Sequence, residues 1–397
     1  MDYNLNLARV PMELKLLLEL INMDENSLHI QNVKETKYHG VNWEKFTQLA
    51  LHHRIYPLLN IKIKKLQETF IPIEVIQTLS QYYQINTFKM LYLTKEMEEI
   101  NKICHENDIR LLNLKGPVLA AELYGDLSLR TCNDLDVLVP ISHLGRMENL
   151  LINLGYEKDD YIETILMDWK WRHHHITFIH PKKQIKIEVH WRLSPGPGKE
   201  PSFEELWKSK RQSSLTNSLI YFLGKEDLIM FLISHGARHG WSRLRWLVDI
   251  RQLISQDLNW MELYRKLKKY HLLETGGQAL ILTFNILSIT LSEHMKPLCK
   301  FNKSKRLAQR AVFYIEEMVN LHTDPLPKHV SKYHKRHLIS LMSIQQKCIF
   351  VLSLLYPYPD DAKTLPLPKP LHFLYFPLRP FLWIWRKSGF PALPRRT

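Results

Sequence analysis

Leu112-Asn113-Leu114-Lys115-Gly116-Pro117 leads, one short helix later, into Arg130-Thr131-Cys132-Asn133-Asp134-Leu135-Asp136-Val137-Leu138-Val139. Asp134 and Asp136 are separated by one leucine at the start of a run too apolar for a loop. Successive side chains of a β-strand point to opposite faces, so the two carboxylates share one face. Oxygen ligands in that arrangement suit Mg²⁺, which takes one or two carboxylates and leaves its other positions to water and substrate phosphates. The stretch reads first as part of a phosphoryl-chemistry enzyme.

A third carboxylate follows from a second strand pattern. Ile185, Ile187 and Val189 alternate with Lys186, Glu188 and His190, a period of two that puts Glu188 and His190 on one face and the apolar residues on the other. One ladder step from the Asp134/Asp136 strand, Glu188 would stand about 5 Å from them. Three carboxylates converging without a cation repel one another and raise one or more of their pKa values. A metal pair removes the conflict and stabilises both the attacking and the leaving oxygen of an in-line displacement.

The order Lys115-Gly116, a helix ending near Tyr124-Gly125, Arg130, Asp134-x-Asp136 and an apolar strand resembles the DNA polymerase beta-type nucleotidyltransferase superfamily. More narrowly, it is similar to uncharacterised bacterial nucleotidyltransferases found beside peptide-modification or polysaccharide genes. Ile187-Glu188-Val189-His190-Trp191-Arg192 and the helix from Ser234 to Ile250 take part, so the resemblance spans about residues 40–255. It implies a nucleotidyltransferase fold, a nucleoside triphosphate as substrate, and two Mg²⁺ ions on Asp134, Asp136 and Glu188. The nucleotide is expected at Lys115, Gly116, Arg130, His190, His235 and His239, with Lys115 and Arg130 neutralising triphosphate charge. Gly116-Pro117 replaces the superfamily's usual Gly-Ser, and proline has no N–H to offer a phosphate. His235 and His239 stand four apart on one helix face. Arg238, Arg243 and Arg245 nearby offer further cations, while Trp241, Trp246 and Leu247 read equally as core.

The fold class expected is α+β: a mixed sheet over 108–200 between a helical region at 1–107 and another at 201–355, with a Pro/aromatic/basic tail at 356–397. Apolar spacings of three and four predict helices within 9–23, 42–66 and 73–107. Ser194-Pro-Gly-Pro-Gly-Lys-Glu-Pro-Ser202, rich in breakers, predicts the loop that joins the sheet to the second helical region. Cys104, Cys132, Cys299 and Cys348 lack Cys-x-x-Cys spacing, which points to neither a zinc site nor a disulfide framework. In His173-His174-His175, strand alternation would send His174 away from its neighbours, so three imidazoles would not meet at one ion. The first residues lack the basic start and apolar core of a signal peptide, and a reducing cytoplasm is the expected location.

The formal charge is +14, and half of it sits between Ala362 and Thr397, which hold seven Lys or Arg and no Asp or Glu. The tail's aromatic run from Leu371 to Arg386 is too short and too interrupted by Pro377, Arg379 and Pro380 to cross a bilayer as a regular helix. It is expected to pack on the enzyme's helical domain, and peripheral contact with an anionic membrane face or a partner protein are the alternatives. Transfer of a nucleoside monophosphate to an unknown acceptor (small molecule, sugar, peptide or RNA end) is the reaction expected. A sequence pI of about 9.4 favours a toxin-like enzyme acting on transfer RNA as one alternative. A binding protein that has kept the fold and lost turnover is the other.

Overall fold

The computed structural model describes residues 3–23, 38–66 and 70–388. Four helices open the chain: α1 (Met12–Asn22), α2 (Trp43–His52), α3 (Tyr56–Lys64) and the 34-residue α4 (Ile73–Glu106). The 42–66 segment is two helices rather than one. Arg54 takes a left-handed φ of 57° between them, and Pro57 sits in the first turn of α3, where its missing N–H costs nothing. Asn42 caps α2, its side chain accepting from Lys45 N at 2.9 Å.

The middle of the chain supplies a seven-stranded mixed sheet: β1 (Leu112–Asn113), β2 (Asp134–Leu138), β3 (Glu157–Lys158), β4 (His175–His180), β5 (Ile185–His190), β6 (Arg211–Gln212) and β7 (Tyr221–Phe222). Their order is β3-β4-β5-β2-β1-β7-β6. Between strands run α5 (Pro117–Tyr124), α6 (Leu144–Asn153), α7 (Trp169–Arg172) and α8 (Phe203–Lys208). Gly116 makes the turn from β1 into α5 with φ 88° and ψ −147°, a backbone conformation that a Cβ disfavours. Beyond the sheet come α9 (Lys225–Arg238), α10 (Leu244–Ile254), α11 (Trp260–Lys269), α12 (Leu273–Leu287), α13 (Lys296–Cys299), α14 (Asn302–Glu316), α15 (Lys328–Leu341) and α16 (Ile344–Ser353). Two last helices, α17 (Pro359–Thr364) and α18 (Tyr375–Lys387), belong to the tail.

One face of the sheet, with Leu135, Val137, Ile187 and Val189, packs on Met90, Leu93, Met97, Ile100 and Cys104 of α4. Those α4 residues recur at three- and four-residue steps, as one stripe of a helix must. The first half of α4, with Val75 and Leu79, lies in a second core shared by α1–α3 and by α9, α10, α12 and α14. At 1.5 Å per residue α4 runs about 50 Å, long enough to tie both cores together. The opposite face of the sheet is left for polar residues.

The Ser194–Ser202 segment is the expected loop, and it is held by its own ions. Arg192 donates to the carbonyls of Gly196 at 2.7 Å and Gly198 at 2.8 Å, while Glu200 accepts from the backbone of Leu193 and Ser194. The described residues of the tail bury their apolar side chains against the 163–172 segment of the sheet region and not in the large helical core. Tyr375 and Leu382 bury against Ile165, Lys363 pairs with Glu163, and buried Asp361 holds Arg379 at 2.6 Å and Arg386 at 2.7 Å. Residues 389–397 of the tail lie outside the described residues. Among the described residues no helix is long and apolar enough to cross a membrane.

Candidate active site

β2 and β5 run parallel in a register that pairs Asp134 with Lys186, Asp136 with Glu188 and Leu138 with His190. Residues two apart share a face, so Asp134, Asp136, Lys186, Glu188 and His190 gather opposite the α4 core. β4 lies antiparallel on the far side of β5 and sets His175 across from His190.

Asp136 is the centre of the group, with only 2 % of its side chain exposed. Its Oδ1 lies 3.1 Å from Lys115 Nζ and 3.2 Å from His190 Nε2. Burial alone would raise its pKa, but Lys115 and the His190 hydrogen bond outweigh that and hold it below the usual carboxylate range. Glu188 is likewise lowered: burial opposes ionisation, and His190, His175 and Lys186 overcome it. His190 shows the reverse balance, its pKa raised because Asp136 and Glu188 outweigh the burial that would lower it. Lys186 bridges Glu188 Oε1 at 2.6 Å and Asp134 Oδ2 at 3.2 Å. Asp136 Oδ2 and His190 Nδ1 are buried with no hydrogen-bond partner among the described residues.

Asp136, Glu188 and His190 bring one ligand atom each to within 4.8 Å of the others, close enough to share an ion. The sequence placed Asp134, Asp136 and Glu188 together. The structure keeps all three on one face, but Lys186 stands between Asp134 and Glu188, and His190 takes the third place in the compact set. The donor set fits a hard divalent ion through its carboxylates, and Asp136 Oδ2 is a buried acceptor that a cation would satisfy.

Lys115, at the end of β1, is the cation assigned to the triphosphate that does reach the site. Arg130 does not. Its guanidinium, 1 % exposed, forks onto Asp249 of α10 at 3.0 Å, and Tyr124 donates to the same carboxylate at 2.8 Å. Every described hydrogen bond of that guanidinium goes to Asp249, so Arg130 fastens the approach to β2 onto α10 instead of meeting phosphate. Gly116 acts through its turn geometry, and His190 belongs to the carboxylate cluster. His235 and His239, ring centroids 4.6 Å apart, stack near Trp246 on the wall facing Lys115. Burial first, then neighbouring Lys115 and Arg238, pushes both imidazoles well below their ordinary range and leaves them neutral.

The remaining cations of that wall are the three arginines that the sequence offered beside His235 and His239. Arg243 donates to His52 and to Asn320 at 3.0 Å, Arg245 donates to Thr131 Oγ1 at 2.9 Å, and Arg238 Nη1 stands 3.4 Å from His174 Nε2. Burial lowers all three, Arg238 and Arg243 to about 10 and Arg245 to about 9. Among the described residues none of them, nor Arg54, pairs with a carboxylate within 4 Å. Guanidiniums held with no carboxylate in contact, though Glu188, Glu200 and Asp136 act on Arg238 and Asp249 on Arg245 from further away, make a wall that favours an anion.

His174 overturns the alternation expected of the triple histidine. β4 begins at His175, so His174 lies outside the pleat, and its Nε2 comes within 3.2 Å of His175 Nδ1. His173 turns away to Tyr161. Lys186 is also a site residue that the sequence reading passed over, although its place two before Glu188 in the alternating run was the signal for it.

No curated protein matches the chain. A family model described as an uncharacterised nucleotidyltransferase matches residues 39–288, from just before α2 to the end of α12, and takes in β1, β2, β5 and the cationic wall. The chain belongs to this uncharacterised nucleotidyltransferase family.

Proposed function

We propose that the site transfers a nucleoside monophosphate from a nucleoside triphosphate to an acceptor hydroxyl or phosphate and releases pyrophosphate. The observation that carries this reading is the β2–β5 register, which sets Asp136 beside Glu188 on a sheet face whose helical wall holds unpaired cations. An acceptor oxygen attacks the α-phosphorus, its proton passes to the Glu188 carboxylate, and the bond from the α-phosphorus to the β-bridging oxygen breaks. Pyrophosphate leaves against Lys115 and the wall of Arg238, Arg243 and Arg245. Magnesium, held by Asp136 and Glu188 with Asp134 at the edge, would supply charge neutralisation on the phosphates. Everything else is positioning and electrostatics, as phosphoryl chemistry requires.

Asp136→Asn and Glu188→Gln test the assignment. Each keeps the side chain's size and removes its charge, and each is expected to reduce pyrophosphate release by about a hundredfold or more while the circular dichroism spectrum is unchanged. Undiminished release from either variant at saturating Mg²⁺ would remove that residue from the reaction.

Among acceptors, the +14 charge favours an RNA end over an uncharged molecule. Binding to transfer RNA that weakens steeply with salt supports that choice, and salt-independent transfer to a small molecule opposes it. Peripheral attachment to an anionic membrane face is supported by an exposed apolar surface that the tail helix α18 shares with α16. Ile344 and Leu352 of α16 are 81 % and 65 % exposed, and Phe381 of α18 is 69 % exposed. The two helices adjoin, since Arg379 Nε donates to Leu354 O at 2.5 Å and the Tyr356 and Phe376 rings lie 5.1 Å apart. Exposed aromatics with Lys369 and Lys387 beside them match a lipid headgroup boundary.

A further inference from the structure

The transfer reaction leaves three histidines unused. His175 and His190 face each other across the β4–β5 ladder, and His174 joins them from just outside it. The ring centroids lie 4.4, 5.0 and 5.3 Å apart, and one nitrogen from each falls within 4.8 Å of the others. Glu188 Oε2 lies beside the group, 3.9 Å from His175 Nε2, the nitrogen that does not face His174, and 3.7 Å from His190 Nε2.

The spacing has chemical meaning. Zinc–nitrogen bonds of about 2.0–2.1 Å put tetrahedral ligand nitrogens about 3.3 Å apart, and His174 Nε2 and His175 Nδ1 already stand at 3.2 Å. His190, buried to 3 % exposure, keeps Nδ1 without a partner among the described residues. Three imidazoles are not a magnesium set, since Mg²⁺ prefers oxygen throughout, whereas zinc, cobalt and nickel favour nitrogen.

We propose that His174, His175 and His190 bind one divalent transition-metal ion of the zinc class beside the carboxylate site. Ligation through His174 Nε2 would displace the Arg238 contact at 3.4 Å. The site shares His190 with the carboxylate cluster. Only its service to catalysis rests on the transfer reading above.

The test uses the full chain, stripped with chelator and titrated with Co²⁺ in excess Mg²⁺. One equivalent is expected to bind and to give the intense visible bands of tetrahedral cobalt. His174→Gln and His175→Gln should each weaken binding by at least tenfold, and Asp134→Asn should leave it unchanged. X-ray absorption of the zinc-loaded wild type needs no variant, and it should report two or more imidazoles on the metal. Absence of a stoichiometric cobalt complex, a complex indifferent to His174 and His175, or zinc without imidazole ligands would overturn the proposal. Metal binding without pyrophosphate release would instead sink the transfer reading and leave this one standing.

Discussion

Arg130 and Asp249 are both fully buried, 119 residues apart in sequence, and joined by a forked contact. Removing one partner of such a pair strands the other charge, at a cost of about 3–5 kcal/mol. Arg130→Ala is therefore expected to lower the urea midpoint by that equivalent, with nucleotide affinity of the folded fraction unchanged. A stable variant with weakened nucleotide binding would return Arg130 to the phosphate side. Lys115→Ala should weaken triphosphate binding, as fluorescence titration with a nucleotide analogue can measure, and should also lower stability because it leaves the buried Asp136 carboxylate with His190 alone. That Asp134, Asp136 and Glu188 share a face was legible in the chain because strand alternation alone puts them there, whereas Lys115 was marked only by its place in the motif order. Arg130 was misread because its partner's position depends on how α10 packs, which no local pattern encodes. His174 was misread because the strand starts one residue later than alternation assumed.

Elements were most legible where a period persists. α1 and α4 appear where apolar spacing put them, and β2 and β5 where period two did, whereas the break between α2 and α3 turns on one left-handed residue, Arg54. The docking of α15 onto α9 is of the same illegible kind. His337 of α15, 1 % exposed, donates from Nε2 to the Ala237 carbonyl at 2.8 Å. Burial lowers its pKa from 6.5 to about 4. The unfolded chain therefore binds the proton more readily, so this histidine's contribution is full above pH 6.5 and is lost as pH falls toward 4. The loss approaches about 1.4 kcal/mol per pH unit within that window. Urea unfolding at pH 7 and pH 4.5 should show wild type losing more stability over the interval than His337→Gln. Equal losses would mean that another group controls the acid limb.

At the scale of the whole molecule, the tail is half bound and half open. Its inward residues Tyr375 and Leu382 fasten it to the sheet region, while Phe381, Trp383 and Ile384 face outward. Replacing these last three by serine is expected to leave the melting temperature and turnover unchanged and to abolish sedimentation with anionic vesicles. Sedimentation that survives, or a wild type that never sediments and instead elutes as a dimer, would assign the face to another occupant. The tail's composition was plain in the chain, but which of its aromatics turn inward depends on Asp361 gathering Arg379 and Arg386. The central claim, nucleotidyl transfer at the β2–β5 face, is tested most directly by supplying cell extract and protein with triphosphates labelled at either the α- or the γ-phosphorus. The account predicts an acceptor labelled from the α position only, the γ label appearing in pyrophosphate, and neither with Asp136→Asn. An acceptor labelled from the γ position, or none from any of the four common nucleotides, would contradict it.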